Sequence, residues 1–154
     1  MNKGGIIFLL LSVMIVLITS CNKSNFDQEG FPGLRCNPGN IEYIADTSFY
    51  TRNLGTTIYG QTNGKNRVVI YLPYRTGGKD STGLVSVDTN ANTAYYLDGV
   101  NTYQSIEGSV NITEYYNDSL AMMSGSFGFV GRNIHDHNQT INVSYGFFNN
   151  IPRH

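Results

Sequence analysis

The chain has 154 residues, of which 40% are hydrophobic, 12% aromatic and 14% charged, and its formal net charge is −1 at pH 7. That length is a prior for one domain. The near-neutral balance excludes a binder of the phosphate backbone, which needs clustered positive charge, because Lys65, Arg67, Arg75 and Lys79 are scattered along a strand-like run and a loop.

The first predicted element is a leader over residues 1–20. Met1-Asn2-Lys3 is a short basic start, followed by the apolar runs Ile6 to Leu11 and Val13 to Ile18, and then by the small residues Thr19 and Ser20. Basic, apolar, small is the order of a secretory signal, and the apolar core falls short of the roughly 20 residues of a spanning helix. Ile18-Thr19-Ser20-Cys21 resembles the bacterial lipobox. That resemblance implies cleavage before Cys21 and a diacylglycerol thioether on its sulfur. Burial contributes about 0.8 kcal/mol per CH₂, so two or three chains anchor far better than one. The expected partner is therefore a membrane. Asn22 provides no Asp-type retention cue for the inner membrane, which points to the outer one.

Residues 21–40 form the lipidated cysteine and its tether. The stretch from Asn22 to Asn40 is polar and rich in Gly, Pro and Asn, with Pro-Gly steps that signal turns. Once Cys21 is assigned to lipid, Cys36 has no intramolecular partner, so it is either a quiet thiol or an intermolecular one. A catalytic thiol wants a neighbouring base, and the three histidines sit near the other end of the sequence.

From Ile41 to Asn150 short runs of Tyr, Thr, Val, Ile and Phe alternate with Gly, Asn, Asp and Ser, a strand-and-turn composition. The predicted strands are 41–51, 55–62, 66–74, 83–88, 92–98, 107–116, 120–131 and 139–149. In 66–74 both faces are bulky, Val68, Ile70 and Leu72 on one and Val69 and Tyr71 on the other, which predicts a central strand, with Pro73 closing it or sitting at an edge. In 120–131, Met123, Phe127 and Phe129 share a face with Gly125. In 139–149, Ile141, Val143, Tyr145 and Phe147 alternate with Asn142, Ser144 and Gly146. Period two makes one apolar face, and the short polar link Arg132–Asn138 predicts a hairpin. With no helix expected after the leader, the fold class is all-β: a small antiparallel β-sandwich or partly open barrel of about eight strands.

Chemistry-bearing motifs are few. His135-Asp136-His137 could offer two imidazoles to a metal, but Zn²⁺ needs three or four ligands and only His154 remains. Asp88-Thr89-Asn90-Ala91-Asn92 has alternating Ca²⁺-type oxygens but lacks the Gly and Glu of the full loop, with Thr93 and Gly99 in their places. Glu107 and Glu114 are the carboxylates open to an acid–base pairing. Eleven tyrosines, including Tyr95-Tyr96 and Tyr115-Tyr116, could stack on sugars or on a partner protein. Adjacent residues of a strand face opposite ways, so one of each pair is expected in the core. No catalytic site and no cofactor is assigned.

Ser124-Gly125-Ser126-Phe127-Gly128-Phe129 and Ile141-Asn142-Val143-Ser144-Tyr145-Gly146-Phe147-Phe148 together resemble the closing hairpin of a Bacteroidetes lipoprotein family of uncharacterised function. Ile41 to Phe49 is similar to that family's first strand, with Asp46-Thr47-Ser48-Phe49 where a Gly-led motif is commoner, and Val68 to Pro73 to its central segment. The resemblance implies a small β domain on a lipid tether in the outer membrane and brings no catalytic residues. It also implies O-glycosylation signals at Asp80-Ser81-Thr82 and Asp118-Ser119-Leu120, making Ser81 and Ser119 modification candidates. The expectation is a non-enzymatic binding or accessory domain, for a glycan or an envelope protein. Its alternatives are a structural component of an envelope assembly and, last, a small glycan hydrolase.

Overall fold

The computed structural model describes residues 32–52, 55–73, 83–87, 93–115 and 122–154. Their regular elements are all strands: β1 (Gly33–Pro38), β2 (Tyr43–Ile44), β3 (Thr47–Thr51), β4 (Gly55–Gln61), β5 (Arg67–Pro73), β6 (Gly83–Ser86), β7 (Thr93–Leu97), β8 (Thr102–Tyr115), β9 (Met122–Asn133) and β10 (Thr140–Pro152). They form one sheet in the order β2-β1-β10-β9-β8-β7-β5-β4-β3, with β6 pairing β8 beyond the stretch that β7 occupies. The ladders are antiparallel throughout.

The two ends of that order, β2 and β3, are joined by only Ala45 and Asp46, so the sheet must curl until its edges meet. The Ala45 N–H donates to the Leu34 carbonyl and the Asp46 N–H to that of Gln61, both at 2.9 Å. Arg153 bridges to Tyr50, and the His154 N–H donates to the Tyr50 carbonyl at 2.9 Å. The result is a half-barrel, the partly open barrel of the two expected architectures. Its inner face is the core. Val68, Ile70 and Leu72 of β5 turn inward while Val69 and Tyr71 are half-buried, and β5 lies between β4 and β7 as its two bulky faces predict. Tyr50, Phe148, Leu34, Ile58, Met123 and Ile151 are sealed from solvent.

Three departures from the sequence expectation have physical causes. Residues 33–38, placed in the tether, are strand β1, paired to β10 on one side and β2 on the other. Leu34, Cys36 and Pro38 do alternate inward there, but Gly and Pro on both sides read as turn. The expected strand 41–51 is two strands, because the chain crosses from one sheet edge to the other at Ala45-Asp46. β8 starts at Thr102 rather than 107: its polar Ser105 is fully buried, where its Oγ accepts the Ala94 N–H at 2.9 Å.

The β9–β10 hairpin forms as predicted, but β10 does not keep strict alternation. Thr140–Pro152 runs beside the shorter stretch Met122–Arg132, and the surplus is absorbed between Val143 and Gly146 and between Phe148 and Ile151. Tyr145 (φ 50°) and Asn150 (φ 48°) sit in those gaps with left-handed backbones, as the added residues of β-bulges do. Each bulge resets the phase. Val143, Phe148 and Ile151 therefore point into the core, while Tyr145, expected on that same apolar face, points out and is 59% exposed.

Candidate functional site

The long strands β8, β9 and β10 present a continuous outer face. Registered pairing places Glu107, Val130 and Asn142 in one outward row. In the next row Ser109 faces Gly128, and the β10 bulge with Ser144 and Tyr145 lies on the other side. Gly128 has no side chain to fill the middle of that row. A Cβ built there would meet only the Val143 carbonyl, at an ordinary 3.5 Å. The outcome is a groove of about 500 Å³, floored by Gly108 and Gly128, with Glu107 on one wall and Asn142, Ser144 and Tyr145 on the other. Ser144 lies in register with Asn37 of β1, and its Oγ donates to the Asn37 carbonyl at 3.5 Å, tying the bulge to the next strand.

The bulge aims Tyr145. A left-handed backbone at a non-glycine residue costs on the order of 1–2 kcal/mol, and here it turns an aromatic side chain out of the core to the rim of a groove. Hydroxyl, amide and carboxylate groups beside an exposed aromatic ring can hydrogen-bond the edge of a polar ring-shaped ligand while the aromatic face covers its apolar side.

The residues singled out by sequence fall in different places. His135, Asp136 and His137 occupy the β9–β10 loop. Asn133 organises it, its Oδ1 accepting the N–H groups of His135 at 2.9 Å and Asp136 at 3.3 Å. His154 follows β10 and packs on Phe49 with centroids 4.9 Å apart, roughly 40 Å of strand from the loop. The three imidazoles are thus not brought together, and no group of three or more His, Cys, Asp or Glu able to hold a metal occurs among the described residues. Glu107 lines the groove, but its backbone is about 23 Å along β8 from that of Glu114, against the roughly 5–9.5 Å between the carboxyls of a glycosidase pair. Tyr95 and Tyr96 split as expected, Tyr95 half-buried on the outer face and Tyr96 in the core. The Ca²⁺-like run 88–92, the glycosylation candidates Ser81 and Ser119, Tyr116 and Cys21 lie outside the described residues.

Cys36 is 1% exposed, and burial pushes its thiol up to about 12. Burial also raises Tyr43, with the neighbouring Cys36 adding to it, and Tyr96 for the same two reasons. The thiol is therefore a small apolar filler under Tyr43 and Tyr96, the quiet alternative of the two. Asp98 behaves oppositely. Burial pushes its carboxyl up, but donors from Asn101 and Val100 outweigh that and leave it below its usual range. It fastens the turn between β7 and β8.

Sequence reasoning missed Tyr145 as a surface residue and Gly128 as a groove floor. The available signal was the run Val143-Ser144-Tyr145-Gly146-Phe147-Phe148, whose two adjacent phenylalanines do not fit one uninterrupted period of two.

These features define a small half-barrel β domain whose accessible chemistry lies on the outer face of its three longest strands. The chain belongs to the family defined by a domain of unknown function, DUF6252, which matches residues 34–152. The match begins inside β1 and ends at the last residue of β10, so the family domain and the curled sheet coincide. Comparisons with curated proteins and with solved structures return no match.

Proposed function

We propose that this chain is a non-enzymatic binding domain held on the cell envelope by a lipid on Cys21, and that the groove across β8–β10 takes a glycan. The observation that carries the reading is the Gly128 gap, flanked by Tyr145, Asn142 and Glu107. A groove with a backbone floor, a mostly apolar lining that includes Val130, polar groups from Glu107, Asn142 and Ser144, and one outward aromatic suits a ligand that is apolar on its ring faces and polar at its edges. The tethering half of the reading is supported by Ile18-Thr19-Ser20-Cys21 and by the resemblance to Bacteroidetes lipoproteins.

The test is retention of the purified chain on an array of plant, animal and bacterial glycans, repeated with Gly128→Leu and Tyr145→Asn. Leucine fills the groove from its floor, and asparagine removes the ring while tolerating the left-handed backbone. The reading expects wild-type retention on a subset of glycans and its loss in both variants. Retention that both variants keep would put the ligand elsewhere, and a blank array for the wild type would end the glycan assignment.

A further inference from the structure

We infer that the groove continues into the cleft around Arg132, and that the ligand is an anionic glycan whose carboxylate or sulfate group sits on that guanidinium while a neutral sugar lies against Tyr145. This rests on the glycan reading above and adds a charge and a direction to it.

A second cavity of about 260 Å³ follows the groove along β8 and β9, its lining residues adjoining those of the groove on both strands. Ile106 lines the cleft and Glu107 the groove, neighbours on β8 at the point where its register shifts by one residue against β9. Val130 lines the groove and Arg132 the cleft, successive outward positions on β9. From the Gly128 row to the Arg132 row is about 14 Å of strand, the reach of a short oligosaccharide rather than one sugar.

The cleft is built for an acceptor group. Arg132 is exposed and makes no ion pair or side-chain hydrogen bond among the described residues. Gln104 stands in register beside it, and His137 lines the cleft from the hairpin loop. That loop is fixed from beneath: the Asn133 Nδ2 donates to Asn101 Oδ1 at 3.2 Å and to Gln139 Oε1 at 3.0 Å, while its Oδ1 holds the loop backbone. A guanidinium on a rigid strand end binds planar oxyanions through two parallel N–H donors. Glu107 sits on the groove side and repels the same anion, so the ligand has one favoured orientation.

The experiment is calorimetric titration of the full chain, in detergent, with three tetrasaccharides: a hexuronate, the same hexuronate with its carboxylates methyl-esterified, and a sulfated glycosaminoglycan fragment. The expected result is at least tenfold tighter binding of one charged probe than of the ester, with the preferred probe distinguishing carboxylate from sulfate. Arg132→Gln should bring that probe down to about the affinity of the ester, Arg132→Lys should restore only part of the gain, and Glu107→Gln should tighten the charged probe. Equal affinity for acid and ester, with Arg132→Gln silent, would remove the anion subsite and leave the glycan reading intact. Heats from none of the three would overturn the anion subsite, and the glycan reading would fall with it only if the wild-type array were blank as well.

Discussion

Tyr145 sets two demands against each other. Its backbone occupies a region that L-residues other than Asn, Asp and Gly avoid, while its ring is exposed and contributes little to the core. Stability alone would choose Asn, as the chain does at the second bulge, Asn150. Tyr145→Asn is accordingly expected to leave the stability read from urea unfolding unchanged or raise it by up to about 1 kcal/mol, while reducing glycan retention at least tenfold. A loss of more than about 1 kcal/mol would mean the ring is structural.

Cys36 is the opposite kind of residue. Burial pushes its folded thiol up to about 12, from about 8.5 in the unfolded chain. Below roughly pH 8.5 both states hold the proton and stability is flat. Above it only the folded state does, so stability falls by up to about 1.4 kcal/mol per pH unit until the folded value is reached. Unfolding curves at pH 7, 8.5, 9.5 and 10.5 should show that decline, and Cys36→Ala should flatten it between pH 8.5 and 9.5, below the range where Tyr43 and Tyr96 join in. A wild-type curve without the decline would contradict the burial.

At the level of strands, β9 shows how two glycines of one run can have unrelated jobs. A Cβ at Gly125 would collide with the Asn111 carbonyl and the Phe148 ring, whereas one at Gly128 would enter the groove. Gly125→Ala is therefore expected to destabilise by about 1–3 kcal/mol or more through overpacking, and Gly128→Ala by less than about 0.5 kcal/mol, both read from urea midpoints. Equal effects would mean that Gly128 is not a groove floor. The same strands mark how far sequence could see. Period two located β4, β5, β7 and β9 to within a few residues and predicted the β9–β10 hairpin, because the pleat forces alternation wherever one face is buried. It failed at β1, where turn-forming neighbours masked three inward residues, and along β10, where each bulge inverts the phase. Tyr145 reaches the groove rim through that inversion, and its trace in the sequence is the adjacent pair Phe147-Phe148, which breaks a single period of two. Glu107 was visible only as one carboxylate among several, and Arg132 as part of a link.

For the molecule as a whole, the curled half-barrel brings its two edge strands together and carries the groove on its outer face, so what the groove meets depends on where the domain is held. On the proposed reading the lipid sits at Cys21, ahead of the DUF6252 match that begins at residue 34, so anchor and domain are separate parts of the chain. Two or three acyl chains buried at about 0.8 kcal/mol per CH₂ resist extraction in a way that one chain or a protein contact does not. Replacing residues 1–21 by an ordinary cleavable secretory leader should consequently move the protein from the alkali-washed membrane pellet to the soluble fraction, while the released domain keeps its unfolding midpoint and its glycan retention. The wild-type N-terminal peptide should carry the mass of a diacylglycerol on Cys21. An unmodified peptide, or a leader-exchanged chain still in the washed pellet, would show that something other than a lipid on Cys21 holds the domain in place.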